Sequence, residues 1–390
     1  MSRAPELTAT EFFKVPQPHS LIKADIVSKY IISWAKIIIK SNLHFKKDSR
    51  AYVVDLFSGA GKYDNGEKST PVKLIEAALE IPYLKENVVF RFNDESLEMI
   101  KRLEKNIKDI PNCDNFSHPI KCTNFDAESE EVFSWFVKNA KTLKIPMCVF
   151  IDPFGYKQIS RNLLKTIIQV PQSDIIFFFN YKRINAALGN EQFESNMDKI
   201  FGDLRVQNIK REMETAKPIQ RSEIIIRHLN ESLNEIGAKY VVPYVVVPED
   251  DDQISHYIVG VTKHTRGYEL FKKIMKQHSK IGLSAKSKFG HDLASLQRDK
   301  QQTLFEEAPD PINDLSNQLK KEYANSTVAF GVLYKSHHPT TNFTESEYKD
   351  SVRRLLANGQ ALIAEESETP NRKTTKGQQS IPNYLVIKFL

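Results

Sequence analysis

Cysteine is scarce in this chain. Only Cys113, Cys122 and Cys148 occur in 390 residues, an odd number with no C-x-x-C pair. A disulfide framework is therefore not expected, and buried or free thiols in a reducing cytosol are. Long apolar runs are missing too, so no transmembrane span is expected. The opening "MSRAPELTATEFFKVP" lacks an apolar core followed by a small-residue cleavage site, which argues against a signal peptide and for a cytoplasmic protein. Charge of one sign is not in large excess: 55 Lys and Arg stand against 49 Asp and Glu. The excess is concentrated. Between Val261 and Lys300 there are ten Lys or Arg and three acids, so the rest of the chain is close to neutral. Such a segment suits a phosphate backbone, and equally a solvated helix face followed by a charged linker.

What is present reads as an α/β chain. "PHSLIKADIVSKYIISWAKIIIKS" (18–41) places Leu21, Ile22, Ile26, Tyr30, Ile37 and Ile38 near helical spacing, an amphipathic helix packed on the domain. Strands and helices then alternate: "AYVVDLF", "STPVKLIEAALE", "NVVFRFND", "SLEMIKRLEKNI", "IKCTNFD", "EEVFSWFVKNAKTL", "PMCVFIDPFG", "SRNLLKTIIQV" and "SDIIFFFN". Continuous apolar strands in strict alternation predict a doubly wound parallel sheet. Residues 191–236 read as helical. "AKYVVPYVVVPED" and "QISHYIVGVTKH" read as a closing antiparallel hairpin, with Pro243 marking an irregular or edge position. A parallel sheet closed by such a hairpin is the plan of class I S-adenosylmethionine (SAM) methyltransferases. The expected organisation is a Rossmann-like methyltransferase domain over 1–283, a polar linker over 284–311 and a winged helix over 312–390. In the last, "INDLSNQLKKEYAN", "TVAFGVLYKSH" and "TESEYKDSVRRLLANG" read as helices, with a Thr344–Glu347 capping box and Gly359 as the stop. "QALIAEE" and "NYLVIKFL" read as a two-stranded wing.

Ligands of doubly wound sheets bind at the carboxyl ends of the strands. Asp55, Asp94, Asp126 and Asp152 end the first four strands. After Asp55 comes "LFSGAGKYDNG". The dinucleotide fingerprint fails because Asp64 takes the third glycine position, and a phosphate loop fails because Tyr63 follows Gly61-Lys62. Both failures point away from a pyrophosphate. SAM has none, and needs close backbone approach, a carboxylate on its ribose and an apolar slot for adenine. Asp55, Phe57, Gly59 and Gly61 are the candidates for the first need, Asp94 for the ribose and Asp126 for the adenine amine. The insert "KYDNGEKS" leaves room for a lid.

"DPFG", residues 152–155, ends the fourth strand. Methyltransferases acting on exocyclic base amines carry [D/N]-P-P-aromatic there, where the first residue accepts a hydrogen bond from the amine. Asp152 and Pro153 match that pattern. Phe154 stands in place of the second proline, which leaves the target atom open. Lys272, Lys273 and Lys276 in the basic helix, and Lys349, Arg353 and Arg354 in the last helix of the winged unit, are candidates for nucleic-acid contact. A solvated helix face explains the last three equally well.

"HSLIKADIVSKY", "VVDLFSGAGKYDNGEKSTP", "FIDPFGY" and "NYKRIN", in this order, resemble the three-Cys-motif partner family. The resemblance runs from about residue 10 to the terminal unit. Ser58 and Ala60 depart mildly from that family's glycine loop, D-L-F-A-G-P-G. The resemblance implies a methyltransferase-like protein in a bacterial mobile-element or defence setting, with a neighbouring radical-SAM-like protein that carries the three cysteines. Three readings follow: a SAM-dependent methyltransferase acting on nucleic acid, a nucleic-acid-binding partner that keeps the fold without transfer, and a nuclease or repair factor holding a metal on the acidic rim.

Overall fold

The alternation of strands and helices yields a sheet with the order β3 (Lys121–Thr123), β2 (Val88–Asn93), β1 (Ala51–Asp55), β4 (Met147–Ile151), β5 (Ser173–Phe179), β7 (His256–Thr262), β6 (Tyr240–Val246), β8 (Lys288–Phe289). The computed structural model describes residues 18–153, 159–187, 194–216, 218–246, 254–280, 288–289, 310–367, 374–375 and 378–390. Strands β1 (Ala51–Asp55) and β4 (Met147–Ile151) are buried along their whole length. So, apart from one position each, are β2 (Val88–Asn93) and β5 (Ser173–Phe179). Helices cover both faces, which is why these strands read as unbroken apolar runs. β3 (Lys121–Thr123), β2, β1, β4 and β5 pair in parallel. β7 (His256–Thr262) is antiparallel to both β5 and β6 (Tyr240–Val246). The fold is thus a mostly parallel, Rossmann-like sheet closed by an antiparallel hairpin. The strand order reverses between β1 and β4, so the crevice at their carboxyl ends is the place this topology leaves for a ligand.

The first helix, α1 (Pro18–His44), buries Ile22, Ile26 and Tyr30 but leaves Ile37 half out. It packs on β1 and β4, on α2 (Thr70–Leu79), and on the basic helix that follows β7, Thr265–Lys280. Tyr30 stacks on Phe271 of that helix at 3.6 Å and 8°. On the opposite face Tyr52 meets Trp135 edge-on, at 5.3 Å. Three helices that follow strand ends start alike: Ser96, Ser129 and Ser160 each cap a helix by accepting a backbone N–H three residues on. Each cap fixes the loop between its strand and helix, and those loops form the rim.

Several expectations shift. Ser69, not Thr70, takes the N-cap position of α2, with no side-chain capping bond. Residues 288–289, expected in a linker, form the edge strand β8 against Tyr244 and Val245, and the rest of the segment through 309 lies outside the described residues. Among the described residues Pro243 pairs with Val259 of β7. By its own contacts the chain divides into units Met1–Phe289 and Gly290–Leu390.

The second unit has helices Pro311–Glu322, Phe330–His337 and Glu345–Ala357 around a core containing Leu315, Phe330, Tyr348 and Ile387. The Thr344–Glu347 capping box forms, and Gly359 follows at φ +63°. Its main sheet has three strands, not two, in the order β10 (Ala361–Ile363), β13 (Val386–Phe389), β9 (Thr327–Ala329), and the two-residue strands β11 (Thr374–Thr375) and β12 (Gln378–Gln379) pair with each other. β9 (Thr327–Ala329), expected as the start of a helix, pairs instead with β13 (Val386–Phe389), and Val328 sits opposite Ile387. The β-branched pair suits a pleated surface better than a first helical turn.

Candidate functional site

The glycine loop is tied to the second strand. Gly59 (φ +58°) donates its N–H to an Asp94 carboxylate oxygen at 2.9 Å, and Ser96 N–H donates to the other oxygen at 2.9 Å. Burial pushes the Asp94 carboxyl up and these two bonds pull it down. Asp55 is 1% exposed and accepts the Phe57 N–H at 3.1 Å. Burial raises its carboxyl well above the usual range, and the charges of Asp152 and Asp94 add to that while Lys23 opposes it. The Asp152 and Asp94 charges thus both reach Asp55 at the strand ends.

Asp126 stands apart. It is exposed, and its side chain accepts Glu128 N–H at 2.9 Å in the turn entering helix Glu130–Lys138. Beside it Phe125 is exposed. Phe57 and Pro153 are half-buried, and Phe154 lies outside the described residues.

Gly61 serves packing. At φ +77° a Cβ would meet Leu103 Cδ1 at 2.6 Å and Val72 Cγ2 at 3.2 Å. The side expected to face a ligand faces the core. The insert 62–69 folds back on itself: Tyr63 N–H reaches Glu67 O at 2.8 Å, Ser69 N–H reaches Gly61 O at 2.9 Å, and Asp64 pairs with Arg102. Asn93, missed in the sequence, pins three strand ends together. Its amide nitrogen donates to Leu56 O (3.2 Å) and Phe125 O (2.9 Å), and its oxygen accepts from Phe125 N–H (3.1 Å) and the Thr123 hydroxyl (3.0 Å).

The larger omission is Lys23. From α1 its ammonium pairs with the Asp152 carboxylate, with side chains 8% and 21% exposed. The ammonium also lies 4.6 Å from the centroid of Phe178, whose ring stacks with His256 at 4.4 Å. Tyr63, buried, lies within the influence of both Lys23 and Asp152. The Asp152 expected to meet a substrate amine alone has a cation on it. At ~4 Å near a protein surface, one unit charge acts on another with about 4 kcal/mol, so this cation decides what can develop charge beside it.

The basic candidates separate. Lys272 is 0% exposed, with its ammonium 4.3 Å from the Tyr268 centroid. It cannot face a phosphate from there, and that expectation is corrected. Lys273 is exposed and Lys276 half-buried. In the second unit Lys349 pairs with Glu345 at 2.6 Å, Arg353 with Asp350 at 2.7 Å, and Arg354 with Asp310. Among the described residues no group of three or more His, Cys, Asp or Glu is placed to share a metal ion, and no helix is long and apolar enough to cross a membrane.

Residues 294–367 match the family model of the GMT-like wHTH domain. No curated protein matches the chain. Among solved structures the chain is similar to protein LPL1258 of Legionella pneumophila, with 14% identity over 68% of this chain and 95% of that one and a TM-score of 0.36. It is similar to the precorrin-6y C5,15-methyltransferase of Geobacter metallireducens, with 12% identity, 55% and 82% coverage and a TM-score of 0.29. It is also similar to the methyltransferase domain of bacterial CtHen1-C, with 12% identity, 59% and 98% coverage and a TM-score of 0.29.

Proposed function

We propose that the first unit binds SAM at the β1–β2–β4 rim and transfers its methyl group to nucleic acid engaged by the C-terminal winged unit. The observation that carries this reading is the bond from Gly59 N–H to Asp94, which fixes the glycine loop after β1 against the carboxylate that follows the neighbouring β2, next to the strand-order reversal. The residues fit the group. Each Asp94 oxygen holds one backbone N–H and keeps a lone pair for a ribose hydroxyl. Phe125 offers an exposed ring and Asp126 an exposed carboxylate in the loop after the third strand. Phe57 supplies backbone beside buried Asp55 and Gly59 beside Asp94, while Gly61 lets the loop close against Leu103 and Val72. Bound SAM would supply an electrophilic methyl on a sulfonium. The chain's own part is to orient the acceptor through Asp152 and Pro153, with Phe154 following in sequence.

The winged unit, with Lys349, Arg353 and Arg354 on its last helix, supports nucleic acid as the partner, joined by Lys273 and Lys276 of the first unit. The three-Cys radical-SAM-like partner and the bacterial defence setting rest on the family resemblance alone.

The test is calorimetry with SAM. Wild-type protein is expected to bind it, and Asp94→Asn to bind about 10–100-fold more weakly, the scale of a lost charged hydrogen-bond acceptor. Binding of NAD or ATP in place of SAM would sink this reading.

The pairing of Asp152 with Lys23 also keeps a second reading alive, in which the rim binds its ligand without transfer and the chain is a binding partner only. Asp152→Ala separates the two. Under methyl transfer it should leave SAM affinity nearly unchanged and lower turnover by roughly two to three orders of magnitude.

A further inference from the structure

The Lys23–Asp152 pair bears on which atom receives the methyl group. An exocyclic amine that attacks a methyl carbon gains positive charge on nitrogen. It is best served by a carboxylate without a cation on it. A hydroxyl is a poor nucleophile until its proton leaves, and needs the opposite provision: an acceptor for the proton and a positive charge beside the oxygen as it becomes alkoxide-like.

The rim offers the second arrangement. Lys23 reaches Asp152 from a helix 129 positions away and is almost fully buried there. Its ammonium is held on one side by the carboxylate and rests over the Phe178 ring. Such a cation is costly to bury and is not swung aside freely. Lys182, exposed in the first turn after β5, adds a further positive charge at the same end of the neighbouring strand.

We infer that the Lys23–Asp152 pair selects a hydroxyl as the methyl acceptor, which within a nucleic acid is the ribose 2′-hydroxyl of RNA. This rests on the methyl-transfer reading above and deepens it. The acceptor oxygen gains the methyl carbon as the carbon–sulfur bond of the sulfonium donor breaks, the bonding pair staying on sulfur. The hydroxyl proton passes to the Asp152 carboxylate and on to solvent. Lys23 supports the negative charge on oxygen while the proton leaves. DNA has no such hydroxyl within the strand, so the pair also sets RNA apart from DNA.

Two measurements on the full chain test this. In the first, wild-type protein is incubated with methyl-labelled SAM and either total cellular RNA or genomic DNA, and the products are digested to nucleosides. Label is expected in 2′-O-methyl nucleosides of the RNA and absent from the DNA. Label on a base of either polymer overturns the proposal and leaves methyl transfer standing. No label in either, with SAM binding seen by calorimetry, also overturns it. No SAM binding at all removes the methyl-transfer reading itself.

The second measurement needs no donor. Affinities for an RNA oligonucleotide and its 2′-deoxy counterpart are compared in wild type, Lys23→Gln and Lys23→Arg. A preference for RNA of about tenfold, the scale of one hydrogen bond to a charged group, is expected in wild type. It should shrink several-fold in Lys23→Gln and be partly kept in Lys23→Arg. The same RNA-to-DNA ratio in all three proteins overturns the role of Lys23.

Discussion

The ammonium of Lys23 and the carboxylate of Asp152 meet across 129 positions of sequence, joining the first helix to the end of the fourth strand. The pair is structural as well as chemical, because each partner is what makes the other's burial tolerable. Breaking a fully buried pair costs about 3–5 kcal/mol, and the Asp152 carboxylate is 21% exposed, so Lys23→Ala is expected to cost less, about 2 kcal/mol. Urea titration measures this. The double variant Lys23→Met with Asp152→Leu should recover most of the loss, since it leaves no orphaned charge. A double variant as unstable as the sum of its singles would show that the pair has no coupling energy.

Gly61 makes a separate prediction about the loop. Alanine there would sit at φ +77° with its Cβ 2.6 Å from Leu103 Cδ1. Backbone strain and overpacking together are expected to cost roughly 2–4 kcal/mol. If the contact with Leu103 is the larger part, Leu103→Ala should cost much less in the Gly61→Ala background than in wild type. Additive costs in a double-mutant cycle would show that backbone strain alone makes glycine necessary.

Much of the sheet was legible because strands buried on both faces have no charged residue to interrupt them, as in "AYVV" and "CVFI". The rim carboxylates were legible for the same reason: a charge directly after such a run marks the point where the strand reaches the edge. Lys23 was not legible. Helical spacing identifies Ile22, Ile26 and Tyr30 as core, and a lysine among them reads as a residue reaching for solvent; only the tertiary fold brings Asp152 to it. Lys272 was misread by the converse logic. It sits next to Phe271, and its long stem follows the buried face while its ammonium finds the Tyr268 ring. The strand Thr327–Ala329 was lost because three residues carry no period, and its pairing partner lies some sixty positions later.

Asp174 gives the protein a pH signature away from the rim. It accepts the Tyr30 hydroxyl at 2.6 Å inside the core. Burial pushes its carboxyl from 3.8 up to about 6, against the Thr262 and Tyr30 hydrogen bonds and the Lys263 charge, which pull it down. The folded state thus holds this proton more tightly than the unfolded state. The contribution to stability is full below about pH 4 and is lost as pH rises through 6, on the order of 2–3 kcal/mol in total. Asp174→Asn keeps an acceptor for Tyr30 and has no proton to lose. Denaturant titrations from pH 4 to 7 should show wild type losing stability relative to Asp174→Asn across that window. A constant difference would mean that Asp174 titrates at the same pH in both states.

The last helix of the winged unit tests the nucleic-acid half of the proposal. Lys349, Arg353 and Arg354 are half-buried and each already has a carboxylate partner, Glu345, Asp350 and Asp310. Ion pairs this exposed contribute little to stability, about 0–1 kcal/mol each, so replacing any one cation by alanine should scarcely change the melting temperature. Their worth toward a phosphate backbone would be larger and of a different kind, because each neutralised phosphate releases condensed counterions. The logarithm of affinity then falls with the logarithm of salt by about 0.7 per contact for single strands and about 0.9 for duplex DNA. Replacing all three with alanine should flatten that slope by roughly 2–3 and weaken binding most at low salt. The partners supply a control: Asp310→Asn and Asp350→Asn free Arg354 and Arg353 from competition and should tighten binding while leaving the slope nearly as steep. A triple variant with an unchanged slope would show that these cations only solvate the helix, and would leave Lys273 and Lys276 of the first unit as the ones to test.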